Sequence, residues 1–177
     1  MPPTDALADA LRTIPDFPEP GIQYKDITPI LSNAALLHAA VSRLATPYAE
    51  ANITKVVGIE ARGFILGPML ARELNAGFVP VRKAGKLPHN TLEETYELEY
   101  GTDTIEIHTD ALAASDRVLL HDDVLATGGT AAATARLIKR SGATLHGFSF
   151  LVELAFLEGR TALDDSTPFH SVLPLEG

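Results

Sequence analysis

An apolar strand that ends in paired carboxylates, then a loop of small residues, then an Ala-rich helix leaves a chain few folds to choose from. Residues 117–120 read as a buried strand; His121, Asp122 and Asp123 follow; residues 124–130 run Val-Leu-Ala-Thr-Gly-Gly-Thr, and residues 131–140 read as a helix. A loop leaving a strand and entering a helix presents free backbone N–H groups at the positive end of the helix dipole. Gly128 and Gly129 are expected at positive φ, where they let the backbone close around an oxyanion, and Thr127 and Thr130 add hydroxyls. A phosphate fits that cradle, which begins at Ala126. Asp122 and Asp123 would repel phosphate, so they suit the vicinal hydroxyls of a sugar, held directly or through a metal. By itself the Gly pair is equally an ordinary turn before a helix; the acidic pair and the flanking threonines decide for phosphate.

The same grammar recurs upstream. Residues 55–59 form a β-branched run, residues 64–74 a helix-length apolar segment and residues 77–81 a second short strand. With the strand at 117, its helix and the apolar stretch 145–151, this predicts an α/β fold: a mainly parallel, twisted sheet with helices on both faces. Ligands in such sheets gather at the C-terminal ends of the strands, where residues 60–63 and 122–130 lie. Residues 4–13 predict a short amphipathic helix that Pro15, Pro18 and Pro20 end. A second helix starts at Ser32 or Asn33, either a suitable N-cap, and ends near Pro47. Residues 92–108 alternate around Gly101 and predict a hairpin outside the parallel pattern, a cover for the site.

Composition narrows the function. With 177 residues, one ordinary domain is expected. The net charge of −9 and the lack of a Lys/Arg run argue against nucleic acid or an anionic membrane as partner, so ligand charge must be met locally. Cys is absent, which excludes disulfides and Cys-based zinc and suits a reducing compartment; cytoplasm is the expectation. No apolar run approaches the roughly 20 residues of a membrane span, and Asp5, Asp9 and Arg12 break up any signal peptide. Residues 58–63 imitate half a Walker A loop, but Phe64 stands where lysine is required, and the dinucleotide Gly-x-Gly-x-x-Gly pattern is missing. His38, His89, His108, His146 and His170 lack metal-ligand spacing. Arg82, Lys83 and Lys86 cluster in an acidic chain; alone they read as a solvated loop, but beside a phosphate site they read as its counter-charge.

Residues 118–130 resemble the phosphoribosyl-pyrophosphate (PRPP) motif of type I phosphoribosyltransferases. Residues 17–29, 60–64 (Glu-Ala-Arg-Gly-Phe), 81–88 (Val-Arg-Lys-Ala-Gly-Lys-Leu-Pro) and 98–101 (Leu-Glu-Tyr-Gly) are similar, in order, to the adenine phosphoribosyltransferase family, and the likeness spans roughly residues 5–160. It implies a single domain over residues 1–177, with an N-terminal hood at 1–30 and a flexible flap at 82–108. The implied reaction is transfer of the 5-phosphoribosyl group from Mg²⁺-bound PRPP to N9 of adenine, in purine salvage. Asp122 and Asp123 would hold ribose and, through water or directly, the metal. Residues 126–130 would anchor the 5′-phosphate, and Arg62, Gly63, Arg82, Lys83 and Lys86 would face pyrophosphate. Ile22, Gln23, Tyr24 and Lys25 would form the base hood, and Glu99 would manage the purine proton, a role the sequence alone cannot select among Glu93, Glu94, Glu97 and Glu106. The resemblance also implies a homodimer, in which Arg82 serves its own or a neighbouring site. His121 departs from the aliphatic residue usual there and is expected to hydrogen-bond to backbone. Another purine as acceptor, or a non-catalytic PRPP-binding regulator of the same fold, remain the alternatives.

Overall fold

The structure, a computed structural model, describes residues 4–97 and 101–177. It opens with α1 (Thr4–Ala10), a two-stranded antiparallel sheet of β1 (Arg12–Pro15) and β2 (Gln23–Asp26), and the helices α2 (Thr28–Leu31) and α3 (Ala34–Ala45). Then come β3 (Lys55–Ile59), α4 (Gly63–Glu73), β4 (Gly77–Lys83) and the hairpin β5 (Thr91–Glu97) and β6 (Thr102–His108). The chain continues with β7 (Arg117–Leu125), α5 (Gly129–Arg140), β8 (Thr144–Leu154) and β9 (Phe169–Leu175). The larger sheet has the order β5-β6-β4-β3-β7-β8-β9. Its strands from β4 to β9 are parallel, and β6 and β5 add an antiparallel edge.

Successive residues of a strand point to opposite faces, and here both faces are buried. Val56 and Leu119 pack with Leu44, Leu66 and Leu70 under α3 and α4. Val57 and Leu120 pack with Leu137, Ile138 and Phe150 under α5. This is why the central strands read as unbroken apolar runs, each fully buried Leu or Ile contributing roughly 1.5–3 kcal/mol of transfer free energy. Asn33 is the N-cap of α3, accepting the amides of Ala35 and Leu36 at 3.0 and 3.2 Å. Because α4 covers one face and α5 the other, the chain reverses direction between β3 and β7, and a crevice opens at their C-terminal ends.

Two expected boundaries need correction. The first helix ends at Ala10, since residues 12–15 pair with β2. Likewise, β7 does not stop at Leu120 but runs through the acidic pair to Leu125. The hairpin stands outside the parallel pattern, as expected, but joins the same sheet as an antiparallel edge: Arg82 and Lys83 of β4 pair with Glu106 and Ile105 of β6. It is also docked on α5, where Glu94 accepts Arg136 at 2.5 Å and Arg140 at 2.8 Å. Among the described residues no helix is long and apolar enough to cross a membrane.

Candidate active site

Three elements meet at the crevice. The end of β7 supplies Asp122 and Asp123, the turn between β3 and α4 supplies residues 60–63, and the loop into α5 supplies residues 126–130. The acidic pair lies within the strand, and its two carboxyls stand close enough to interact with each other and with Arg62. Asp122 lines a cleft with residues 124–131 and Phe150. Asp123 is buried and accepts Arg62 Nε at 2.5 Å. Burial, and then the charge of Asp123 beside it, hold the Asp122 carboxyl well above the usual carboxylate range. Gly63 opens α4 so close to the pair that a Cβ there would lie 3.0 Å from Asp122 Oδ1.

In the loop into α5 only one glycine has the predicted conformation. Gly128 sits at φ +83° as the N-cap of α5, and Gly129 is already the first helical residue without positive φ. A Cβ on Gly128 would lie 2.2 Å from the Gly159 carbonyl oxygen. The loop is therefore shaped against Gly159, far from it in sequence. The first intrahelical bond of α5 runs from the Ala132 amide to the Gly128 carbonyl at 2.9 Å, so the amides before Ala132 lie at the positive helix end without that bond. Thr130 Oγ1 donates to the Tyr96 hydroxyl at 3.0 Å, which ties the helix start to the hairpin.

The hood reaches the acidic pair through one side chain. Arg62 donates from Nη1 to the Tyr24 hydroxyl, and its guanidinium carbon stands 5.2 Å from the Tyr24 ring centre. Phe17 packs edge-on against that ring at 5.1 Å. Alternation in β2 separates the four expected hood residues. Tyr24 faces Arg62, Lys25 turns away to donate to Thr13 Oγ1 at 2.9 Å, and Ile22 is half exposed at the strand entrance beside Gln23.

The cations at the end of β4 and just after it are all paired. Glu60, largely but not fully buried just past the end of β3, accepts Lys86 Nζ at 2.5 Å, the Lys83 amide at 2.9 Å and Arg82 Nε at 3.1 Å. Burial works against the Glu60 carboxylate, but these three donors hold its pKa below the ordinary value. Lys83 Nζ pairs with Asp103 of β6 at 3.0 Å, and that contact raises the lysine and lowers the aspartate. Glu106, also buried, accepts the amides of Lys86 and Leu87 at 2.9 and 2.7 Å. Glu60, Tyr96, Asp103, Glu106 and Gly159 carried no role in the sequence reading. Only Glu60 had a signal, its place in the Glu-Ala-Arg-Gly-Phe block; the others act on residues distant in sequence. Glu99 lies outside the described residues.

His121 is fully buried in the middle of the sheet, its Nδ1 donating to the Ser149 carbonyl at 3.0 Å. Desolvation depresses its pKa from 6.5 to about 4. The unfolded chain therefore takes up this proton at higher pH than the folded one, so the site contributes stability above pH 6.5 that is lost as pH falls toward 4. The loss amounts to about 3 kcal/mol over that window. His121→Val is expected to flatten the rise of unfolding free energy between pH 4 and 6.5, as read from denaturant unfolding. An unchanged slope would show that His121 is not buried neutral.

Hard oxygen donors suit Mg²⁺, which takes one or two carboxylates and fills its remaining positions with water and substrate phosphates. Asp122 and Asp123 fit that use, and among the described residues no group of three or more His, Cys, Asp or Glu is placed to cage an ion.

Residues 23–165 match the phosphoribosyl transferase domain family. The adenine phosphoribosyltransferase of Maricaulis maris is 54% identical over 172 residues, covering 97% of this chain and 98% of that one. The crystal structure of the Rhodothermus marinus adenine phosphoribosyltransferase superposes with a TM-score of 0.94 at 61% identity, over 97% of this chain and 98% of the other. The Saccharomyces cerevisiae adenine phosphoribosyltransferase, complexed with an imino-altritol bisphosphate and adenine, superposes at 0.91 with 42% identity, over 96% and 98%.

Proposed function

Because this chain belongs to the phosphoribosyl transferase domain family, among the adenine phosphoribosyltransferases, we propose a division of labour for the reaction it performs. That reaction is phosphoribosyl transfer from PRPP to adenine in purine salvage, giving AMP and pyrophosphate. The observation that carries the assignment is Arg62, whose single guanidinium joins Tyr24 of the hood to Asp123 of the acidic pair. Base, ribose and pyrophosphate subsites have to meet at C1′, and the mutual contact of these three side chains supports that reading.

The 5′-phosphate sits on the amides and hydroxyls of residues 126–130, so binding energy remote from C1′ orients the sugar. Asp122 and Asp123 hold the ribose hydroxyls and stabilise the positive charge that develops as the bond to pyrophosphate breaks. Arg62, Arg82, Lys83 and Lys86 receive the departing pyrophosphate, and Gly63 keeps the α4 N-terminus close to it. Tyr24 stacks on adenine beside the backbone of residues 22–25, and Glu99 takes the proton that the ring gives up as N9 bonds to C1′. Asp122 and Asp123, with water and PRPP, would hold Mg²⁺, which would supply further charge neutralisation to the leaving group. The family resemblance and the absence of Cys support a cytoplasmic homodimer, and sedimentation equilibrium at twice the 18.9 kDa chain mass tests the dimer.

Lys83→Ala tests the assignment. It is expected to raise the KM for PRPP or lower turnover about 10-fold while leaving AMP affinity nearly unchanged, because AMP lacks the pyrophosphate this ammonium meets. Initial rates and calorimetry with AMP separate the two. Equal losses for both ligands would move Lys83 to the 5′-phosphate.

A further inference from the structure

Every cation assigned to pyrophosphate is held by one of the chain's own carboxylates: Arg62 by Asp123, Lys83 by Asp103, and both Arg82 and Lys86 by Glu60. Glu60 is the extreme case. Two cationic side chains and a main-chain amide, all from residues 82–86, converge on its carboxylate within 3.1 Å. Charge-assisted donors with a backbone N–H beside them are what a phosphate oxygen is offered. The geometry points to Glu60 as an internal stand-in for pyrophosphate: a positioning residue that keeps Arg82 and Lys86 gathered when the site is empty and competes with the anion for them. This rests on residues 82–86 being the pyrophosphate cradle.

Two further facts separate competition from mere scaffolding. The loop has an independent anchor, since Glu106 accepts the amides of Lys86 and Leu87 from the hairpin side. Glu60 is therefore not the loop's sole attachment. Its partners are also open to solvent, with side-chain exposures of 36% for Arg82 and 46% for Lys86, so an incoming anion reaches them without unpacking the core. A phosphate carries more charge than a carboxylate and wins the exchange, but each displaced ion pair subtracts from its affinity. When pyrophosphate leaves, Glu60 recaptures the cations and lowers the barrier to departure.

Glu60→Gln keeps the size and an acceptor for the Lys83 amide and removes the competing charge. Calorimetric titration with inorganic pyrophosphate at fixed Mg²⁺ is expected to show about 3- to 10-fold tighter binding, the equivalent of one or two partly exposed pairs. The KM for PRPP should fall with it, and kcat should fall where release limits turnover. Glu60→Asp withdraws the charge by one methylene; it is expected to lie between parent and glutamine variant and carries the test if the latter does not fold. Unchanged or weaker pyrophosphate binding in the folded variants would make Glu60 a scaffold and overturn the inference. An unaltered chain that does not bind pyrophosphate would remove the cradle reading, and the inference with it.

Discussion

Replacing Gly128 with valine is expected to weaken AMP binding by roughly 100-fold or more, the equivalent of losing two charge-assisted hydrogen bonds of about 1.5 kcal/mol each. Position 128 sits at φ +83°, a region that costs an L-residue about 1–2 kcal/mol and a β-branched one more. The added Cβ would also approach the Gly159 carbonyl oxygen to 2.2 Å. Since both partners are backbone, the loop itself has to move, and the amides aimed at the 5′-phosphate move with it. Gly129→Ala is the internal control: its Cβ would stand 3.6 Å from the Tyr96 ring, an ordinary contact, at a residue that is already helical. Calorimetry with AMP on both variants decides. Parent-like AMP affinity in a folded Gly128→Val protein would take the loop out of the phosphate site.

Glu99→Gln is expected to lower kcat with adenine by about 10²–10⁴, the span for losing a positioned acid–base group. Glutamine keeps the volume and still hydrogen-bonds, so PRPP affinity should survive; what goes is the exchange of a proton with the purine ring. Glu97 provides the comparison. It is the last described residue of β5, exposed and paired with Thr102, and Glu97→Gln is expected to leave turnover unchanged. Single-turnover kinetics isolate the chemical step from product release. A wild-type chemical step in Glu99→Gln would end the role assigned to that carboxylate.

What could be read in the sequence was whatever a local pattern fixes. Buried parallel strands announce themselves as apolar runs because both their faces are covered, so β3, β4 and β7 with the helices α4 and α5 were legible, as was the Asn33 cap. The strands β1 and β2 were not: each has four residues, none of them in the buried core, in a Pro-rich stretch. Nor was β9, which carries Pro174 on the sheet edge, where a missing N–H is tolerated. The extension of β7 through Asp122 and Asp123 was hidden because charges do not read as strand interior; Arg62, 61 residues away from Asp123, compensates the buried one. The site divides along the same line. The strand–loop–helix motif and the basic cluster could be named from spacing, whereas the pairing of Glu60 with Lys86, Asp103 with Lys83 and Gly159 with Gly128 exists only once the sheet brings distant segments together.

Adenine-specific, Mg²⁺-dependent transfer is tested most directly by an initial-rate assay of nucleotide formation from PRPP with adenine, hypoxanthine, guanine and xanthine, run with Mg²⁺ and again with excess chelator. Formation of AMP from adenine, at least about 10²-fold faster than any product from the other bases and abolished reversibly by the chelator, is the predicted result. Equal rates with a 6-oxopurine, or no AMP from a folded protein that binds PRPP, would contradict it.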